Sequence, residues 1–171
     1  MAPQLFTCQS LLSTDATTTK WPSAHSPPLD QPHAMIVLNN TDRFARILDI
    51  TVPWAHSYAD MRPGKTDLER RENYRRAAVT QLRPIPSRIY WWAFRITVFK
   101  TGRPLDVDNI AKTIIDSFSD SQIARDRSSF TNLKLFPDDT FDHVQVLQVT
   151  GKPSTTSDST RIEIFACVDD T

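Results

Sequence analysis

Apolar and polar positions alternate in several stretches of the chain and recur at helical spacing in two others. In ARILDITVP, 45–53, Leu48, Ile50 and Val52 fall on one side, the pattern of a half-buried strand. RIYWWAFRITVFK, 88–100, is the clearest strand. Trp92, Phe94, Ile96 and Val98 share one face, and Arg95 and Thr97 point to the other. HVQVLQV, 143–149, and RIEIFACV, 161–168, read as two more strands, with GKPSTTSDS between them as a turn or hairpin loop. AMIVL, 34–38, is a further candidate, joined to the first strand by NNTDRF.

Two segments have helical spacing. The first opens at Thr66, where TDLE has the form of a capping box with Glu69 reaching back. Its apolar side is Leu68, Tyr74, Ala78, Val79 and Leu82, its arginines lie mostly elsewhere, and Pro84 and Pro86 stop it. The second lies in PLDVDNIAKTIIDSF, 104–118. Ile110, Ala111, Ile114, Ile115 and Phe118 cluster on one face, and Asp108, Lys112 and Asp116 line the other. Asp108 has the character of an N-cap. Residues 119–136 read as a long loop with room for a short helix. The order strand, helix, strand, helix, strand, strand predicts an α+β fold, a small mixed β-sheet with helices packed on it. Residues 1–33, rich in Ser, Thr, Pro and Gln, have no apolar period and are expected to be a disordered extension before a domain at 34–171.

Composition narrows the classes. The chain of 171 residues is 39% hydrophobic, enough for one core. Its apolar runs are too short to cross a bilayer, and its first residues lack the charged start and apolar core of a secretory signal. Cys8 and Cys167 stand at opposite ends and make neither a disulfide framework nor a zinc site, so a reducing, intracellular setting is the simplest reading. The net charge is zero but unevenly spread. Residues 62–103 hold eleven Lys/Arg against three Asp/Glu, and residues 104–171 hold six against twelve. Either these are two solvated faces, or a surface that grips a polyanion stands beside a cluster that holds cations. Four arginines in 70–76 suit phosphate contact, or else an ordinary solvated helix face.

The acidic stretch carries the candidate chemistry. With Leu105–Val107 extended, Asp106 and Asp108 project to one side. Two adjacent carboxylates repel unless a proton or a cation neutralises them. Mg²⁺ takes such oxygen ligands and keeps waters for a substrate phosphate. Lys112, one turn after Asp108, reaches the same space and suits a phosphate oxygen or a charge that builds in a transition state. Asp138 and Asp139 in FPDDTFDHV supply a second acidic pair. The plainer alternative is a charged helix start in which Lys112 pairs with Asp108 and Asp116 at i,i+4 spacing, with Asp138–Asp139 a turn. Trp91 and Trp92 are base-stacking candidates or core, and His143 with Asp142 is a catalytic pair or a surface histidine.

PLDVDNIAKTIIDSF resembles the D-x-D-N-x-x-K-x-x-x-D segment of RusA-type Holliday junction resolvases, and LFPDDTFDHVQVLQVTGKP resembles their downstream acidic pair, strand and lysine. The likeness spans roughly residues 45–168 and keeps the family's order, with VPWAHSY as the loop after the first strand. It implies a RusA-like, homodimeric, Mg²⁺-dependent endonuclease (Mn²⁺ a possible substitute) that resolves four-way junctions and other branched DNA in recombination and repair. Carried over, the catalytic residues are Asp106, Asp108, Lys112 and Asp139, with Asp106, Asp108 and Asp139 on the metal. Asn109 and Asp116 take supporting positions. The loop between Asp116 and Asp138 is longer than in compact family members, and an ungapped count back from Lys152 selects Asp142 as the third acid. Asp138, Asp139 and Asp142 therefore all stay in view, with Asp139 preferred. DNA contact is expected from Arg62, Lys65, Arg70, Arg71, Arg75, Arg76 and Arg103. A second expectation is a branched-DNA-binding protein of this fold with an impaired site. A D-x-D transferase for a nucleotide sugar is disfavoured, because the chain is short and has no doubly wound pattern.

Overall fold

A computed structural model of the chain describes Leu38 and residues 43–56, 65–103 and 105–169; the side chains of Lys65, Thr66, Val107 and Asp108 lie outside that description. The expected disorder of residues 1–33 lies outside it too, as does AMIVL except for Leu38, which is buried but in no strand.

The alternating stretches form four strands: β1 (Phe44–Val52), β2 (Trp91–Lys100), β3 (Val144–Pro153) and β4 (Ser159–Cys167). The helices are α1 (Lys65–Ala78), α2 (Val107–Asp116) and α3 (Asp120–Asp126), and a 3₁₀ turn follows at Thr131–Leu133. The sheet order is β1-β4-β2-β3. β4 runs antiparallel to both β1 and β2, and β3 runs parallel to β2. The sheet is therefore mixed, and the fold is α+β as expected. A parallel neighbour needs a crossover, and the segment carrying α2 and α3 supplies it.

Three expectations about the elements change. β3 and β4 do not form a hairpin, because β2 lies between them and the 154–158 connection straddles its end. Helix α1 begins at Lys65, one residue before the expected cap, and ends at Ala78, well before Pro84. The N-cap of α2 is Asp106, in extended conformation at φ −70° and ψ 130°, and Asp108 already lies in the first helical turn. An acid in the first turn is favoured by the helix dipole without being the cap. The extended backbone that was to align Asp106 with Asp108 ends at Asp106.

One face of the sheet and the helices enclose the main core. Trp92, Phe94, Ile96 and Val98 of β2 meet Ile110, Ala111, Ile114, Ile115 and Phe118, and all nine are buried, matching the two apolar stripes read from the sequence. β1 departs from strict alternation. A register shift between Arg46 and Leu48 turns both Ile47 and Leu48 inward, and the Arg83 amide donates to the Ile47 carbonyl at 2.9 Å. Such a bulge spends one residue to bend the strand. Trp91 and Trp92 are both buried, so they serve the core on opposite faces of β2.

The other sheet face packs Leu38, Phe44, Trp91, Ala93, Phe165 and Cys167 at one end and carries ions at the other. Asp49 and Glu163 stand directly opposite on β1 and β4, where like charges repel. Arginines resolve the conflict. Arg161 grips Asp49 through two nitrogens at 3.0 and 2.9 Å, and Arg46 and Arg95 reach the buried Glu163 at 3.4 and 3.2 Å. The described residues lie in one compact unit, Ile36–Thr171. Among them, no helix is long and apolar enough to cross a membrane.

Candidate active site

The site is built at the two ends of α2. At its start, β2 delivers the chain into the turn at Thr101–Arg103, where Gly102 takes φ 68°, a backbone shape that suits glycine. The turn is clamped by Asp158. Its carboxylate accepts from the Lys100 ammonium at 2.6 Å, from the Thr101 amide at 2.8 Å and from the Thr101 hydroxyl at 2.7 Å. These partners, the Lys100 ammonium first, hold the Asp158 carboxyl down to about 2. A lowered pKa means the folded state gains from the charged form. The gain is complete above the ordinary carboxylate range and fades as pH falls from about 4 towards 2. Thermal melts in acid check this. Asp158→Asn is expected to melt below the wild type at pH 6, and the gap is expected to close near pH 2.

Asp106 follows the turn, exposed, with the Asn109 side-chain amide near its carboxylate at 3.4 Å. A cleft of about 380 Å³ adjoins it, walled by Val98, Leu105, Ile110 and Val149, with Lys100 and Lys152 in its lining.

Along α2 the buried isoleucines force Lys112 outward, where its side chain is 48% exposed. Its ammonium binds Asp116 one turn on at 2.8 Å, and it also binds Asp139. The second contact spans the long loop, and the backbone explains how. Ser119 and Phe136 form a parallel bridge, the Asp120 amide donates to the Phe136 carbonyl at 2.8 Å, and the Ser121 amide donates to the Pro137 carbonyl at 3.1 Å. This short seam lays Phe136–Asp139 beside the end of α2. Asp138 is turned aside, accepting from the Ser121 hydroxyl at 3.1 Å and from the Asp139 amide at 2.9 Å. Of the three later acids, Asp139 is the one that meets Lys112; Asp142 is exposed.

The electrostatics fix the role of the lysine. Burial works against its charge, but the hydrogen bonds to Asp116 and Asp139 outweigh it and raise the ammonium above its ordinary pKa. Lys112 is thus a fixed cation rather than a base near neutral pH. Asp116 moves the other way from most paired acids. Burial pushes its carboxyl up, against the pull of Lys112.

The basic helix α1 requires a correction. Arg75 is fully buried and Arg71 nearly so. Arg71 holds Asp126 of α3 through two hydrogen bonds of 2.7 Å. Arg75 pairs with the same carboxylate at 2.8 Å and with Glu72 at 2.7 Å, and donates to the Ser117 carbonyl at 2.8 Å. These two arginines fasten α1 to the α2–α3 junction and leave the expected DNA surface. Arg76 and Arg103 are exposed and Arg70 partly so, while the Arg62 and Lys65 side chains lie outside the described residues. The burial signal was absent from the local sequence, because its cause, Asp126, belongs to another element.

Asp106 and Asp139 carry the carboxylate oxygens that a hard divalent cation takes, but the structure places Asp106 at the start of α2 and Asp139 beside Lys112 and Asp116 towards its end. Among the described residues, no three His, Cys, Asp or Glu side chains converge as a metal-binding group, and the Asp108 side chain is not among them. No protein-family model matches the chain, and a search of curated proteins finds no relative.

Proposed function

We propose that the chain is a Mg²⁺-dependent endonuclease of RusA type that nicks four-way junctions and other branched DNA, acting as a two-fold dimer with one site per copy. The observation that carries this reading is the Lys112 ammonium bound to Asp139, which joins the D-x-D-N-x-x-K stretch to the distant acidic pair at one point. Neither stretch would carry the reading alone.

In this reading Asp106, Asp108 and Asp139 hold the metal, with Mn²⁺ as a substitute. Held there, the ion would supply Lewis acidity at the scissile phosphate. Lys112, cationic at neutral pH, faces the negative charge that builds on the phosphate oxygens. Asp116 keeps the ammonium pointed at the site. Asn109 steadies the Asp106 carboxylate. Arg70, Arg76 and Arg103 supply phosphate contacts, so binding weakens steeply with salt.

The test is a junction-nicking assay with Mg²⁺. The wild type is expected to cut a four-way junction, and Asp108→Asn to abolish cutting while junction binding persists. A dimer that binds junctions but leaves them intact with Mg²⁺ and Mn²⁺ favours the second reading, a branched-DNA-binding protein with an impaired site. The placement of Asp106 at the start of α2 and of Asp139 towards its end is the observation that favours it. A protein that neither binds nor cuts junctions overturns both.

A further inference from the structure

The most exposed of the large apolar side chains among the described residues stands two residues from Asp139. Phe141 is 88% exposed, against 45% for Leu147, the next most exposed of the large apolar side chains. Its turn is anchored on both sides. Upstream, Asp138 is tied to the Ser121 hydroxyl and to the Asp139 amide. Downstream, the His143 and Val144 amides donate to the Thr140 carbonyl at 3.0 and 2.8 Å, and the Trp92 amide donates to the His143 carbonyl at 2.7 Å. The ring thus projects from a braced turn that also sets Asp139 beside Lys112. Thr140 and Asp142 beside it are exposed and polar, so the ring is the apolar part of this turn that is open to a partner. Aromatic faces accept any base by stacking, without regard to sequence.

We infer that Phe141 stacks on a base unstacked at the branch point of the DNA, and so places the adjoining phosphate at Asp139 and Lys112. The inference rests on the branched-DNA reading above and names the feature of the substrate that the site selects. A base at a branch point has already lost part of its stacking, so it costs less to engage than a base within a duplex. Phe141 is therefore a positioning residue that distinguishes junctions from linear DNA.

The test uses a four-way junction with 2-aminopurine at the branch point, titrated with the full-length protein in EDTA. Wild-type protein is expected to change the 2-aminopurine fluorescence. Phe141→Ala is expected to lose that change and to bind the junction about tenfold more weakly, with duplex affinity and melting temperature unaltered. Phe141→Trp is expected to restore both. If Phe141→Ala keeps the fluorescence change and the affinity while wild-type protein still cuts junctions with Mg²⁺, the inference fails and the nuclease reading stands. If Phe141→Ala instead converts a dimer to a monomer in sedimentation, the ring is a contact between copies and the inference fails. If wild-type protein neither binds nor cuts junctions, both readings fail together.

Discussion

Replacing Arg75 by alanine is expected to destabilise the fold by about 3 kcal/mol, the low end of the cost of removing one partner from a buried ion pair, because Asp126 keeps other partners. That is a large part of the roughly 5–15 kcal/mol that holds a typical domain together. The guanidinium is fully buried and satisfies three acceptors: Asp126, Glu72 and the Ser117 carbonyl. Its loss leaves the Ser117 carbonyl without this donor at the junction of α2 and α3. Asp126 is left with Arg71 and Gln122, at 2.7 and 2.9 Å. Lysine is expected to rescue little, because one ammonium cannot span three acceptors in a plane. Urea unfolding measures the effect as a lower midpoint at unchanged slope. A midpoint within experimental error of wild type would refute the structural role given to Arg75. The pair also has an acid signature. Burial opposes the charge on Asp126, but the hydrogen bonds from Arg71, Gln122 and Arg75 prevail and lower its carboxyl. Its contribution is therefore present above the ordinary range near pH 4 and is lost below it.

Lys112→Ala is expected to reduce junction cleavage by about a hundredfold to a thousandfold, as removal of one preorganised donor to transition-state charge commonly does. The fold should hardly notice. The side chain is half exposed, and a helical i,i+4 pair of this kind contributes only a few tenths of a kcal/mol. Junction affinity should change little, because the phosphate grip falls to other cations. A single-turnover assay at saturating protein separates the two effects. Cleavage close to the wild-type rate would remove Lys112 from the chemistry. Equal losses in binding and in rate would make it an ordinary phosphate contact.

The parts of the fold that could be read from sequence are those where one element decides its own burial. The isoleucines of α2 and the alternating face of β2 were legible because periodicity alone assigns them to the core. Arg75 was not, because an arginine reads as solvated until Asp126 is brought beneath it from another helix. The start of α2 was misplaced by two residues for a related reason. Asp106 and Asp108 are both acceptable caps, and the backbone chose the first, which makes no side-chain capping bond. The hairpin expected between β3 and β4 failed because turn-like residues do not say whether two strands will be neighbours. For the candidate site, spacing left three later aspartates in contention. The seam between Ser119 and Phe136 brings Asp139 to Lys112 by backbone hydrogen bonds that no side-chain pattern records.

The strand order has a consequence for how the chain can acquire its structure during synthesis. Among the described residues every ladder of the sheet, β1 with β4, β2 with β4 and β2 with β3, needs a strand from residues 144–167. β1 and β2 are made first but cannot pair with each other, and the apolar face of β2 waits without a sheet partner until the last two strands arrive. Such late, distant pairings slow folding and lengthen the exposure of sticky segments. The bracing of α1 to the α2–α3 junction by Arg71 and Arg75 needs nothing beyond Asp126. It can form earlier, giving the nascent chain a helical platform on which the sheet is completed.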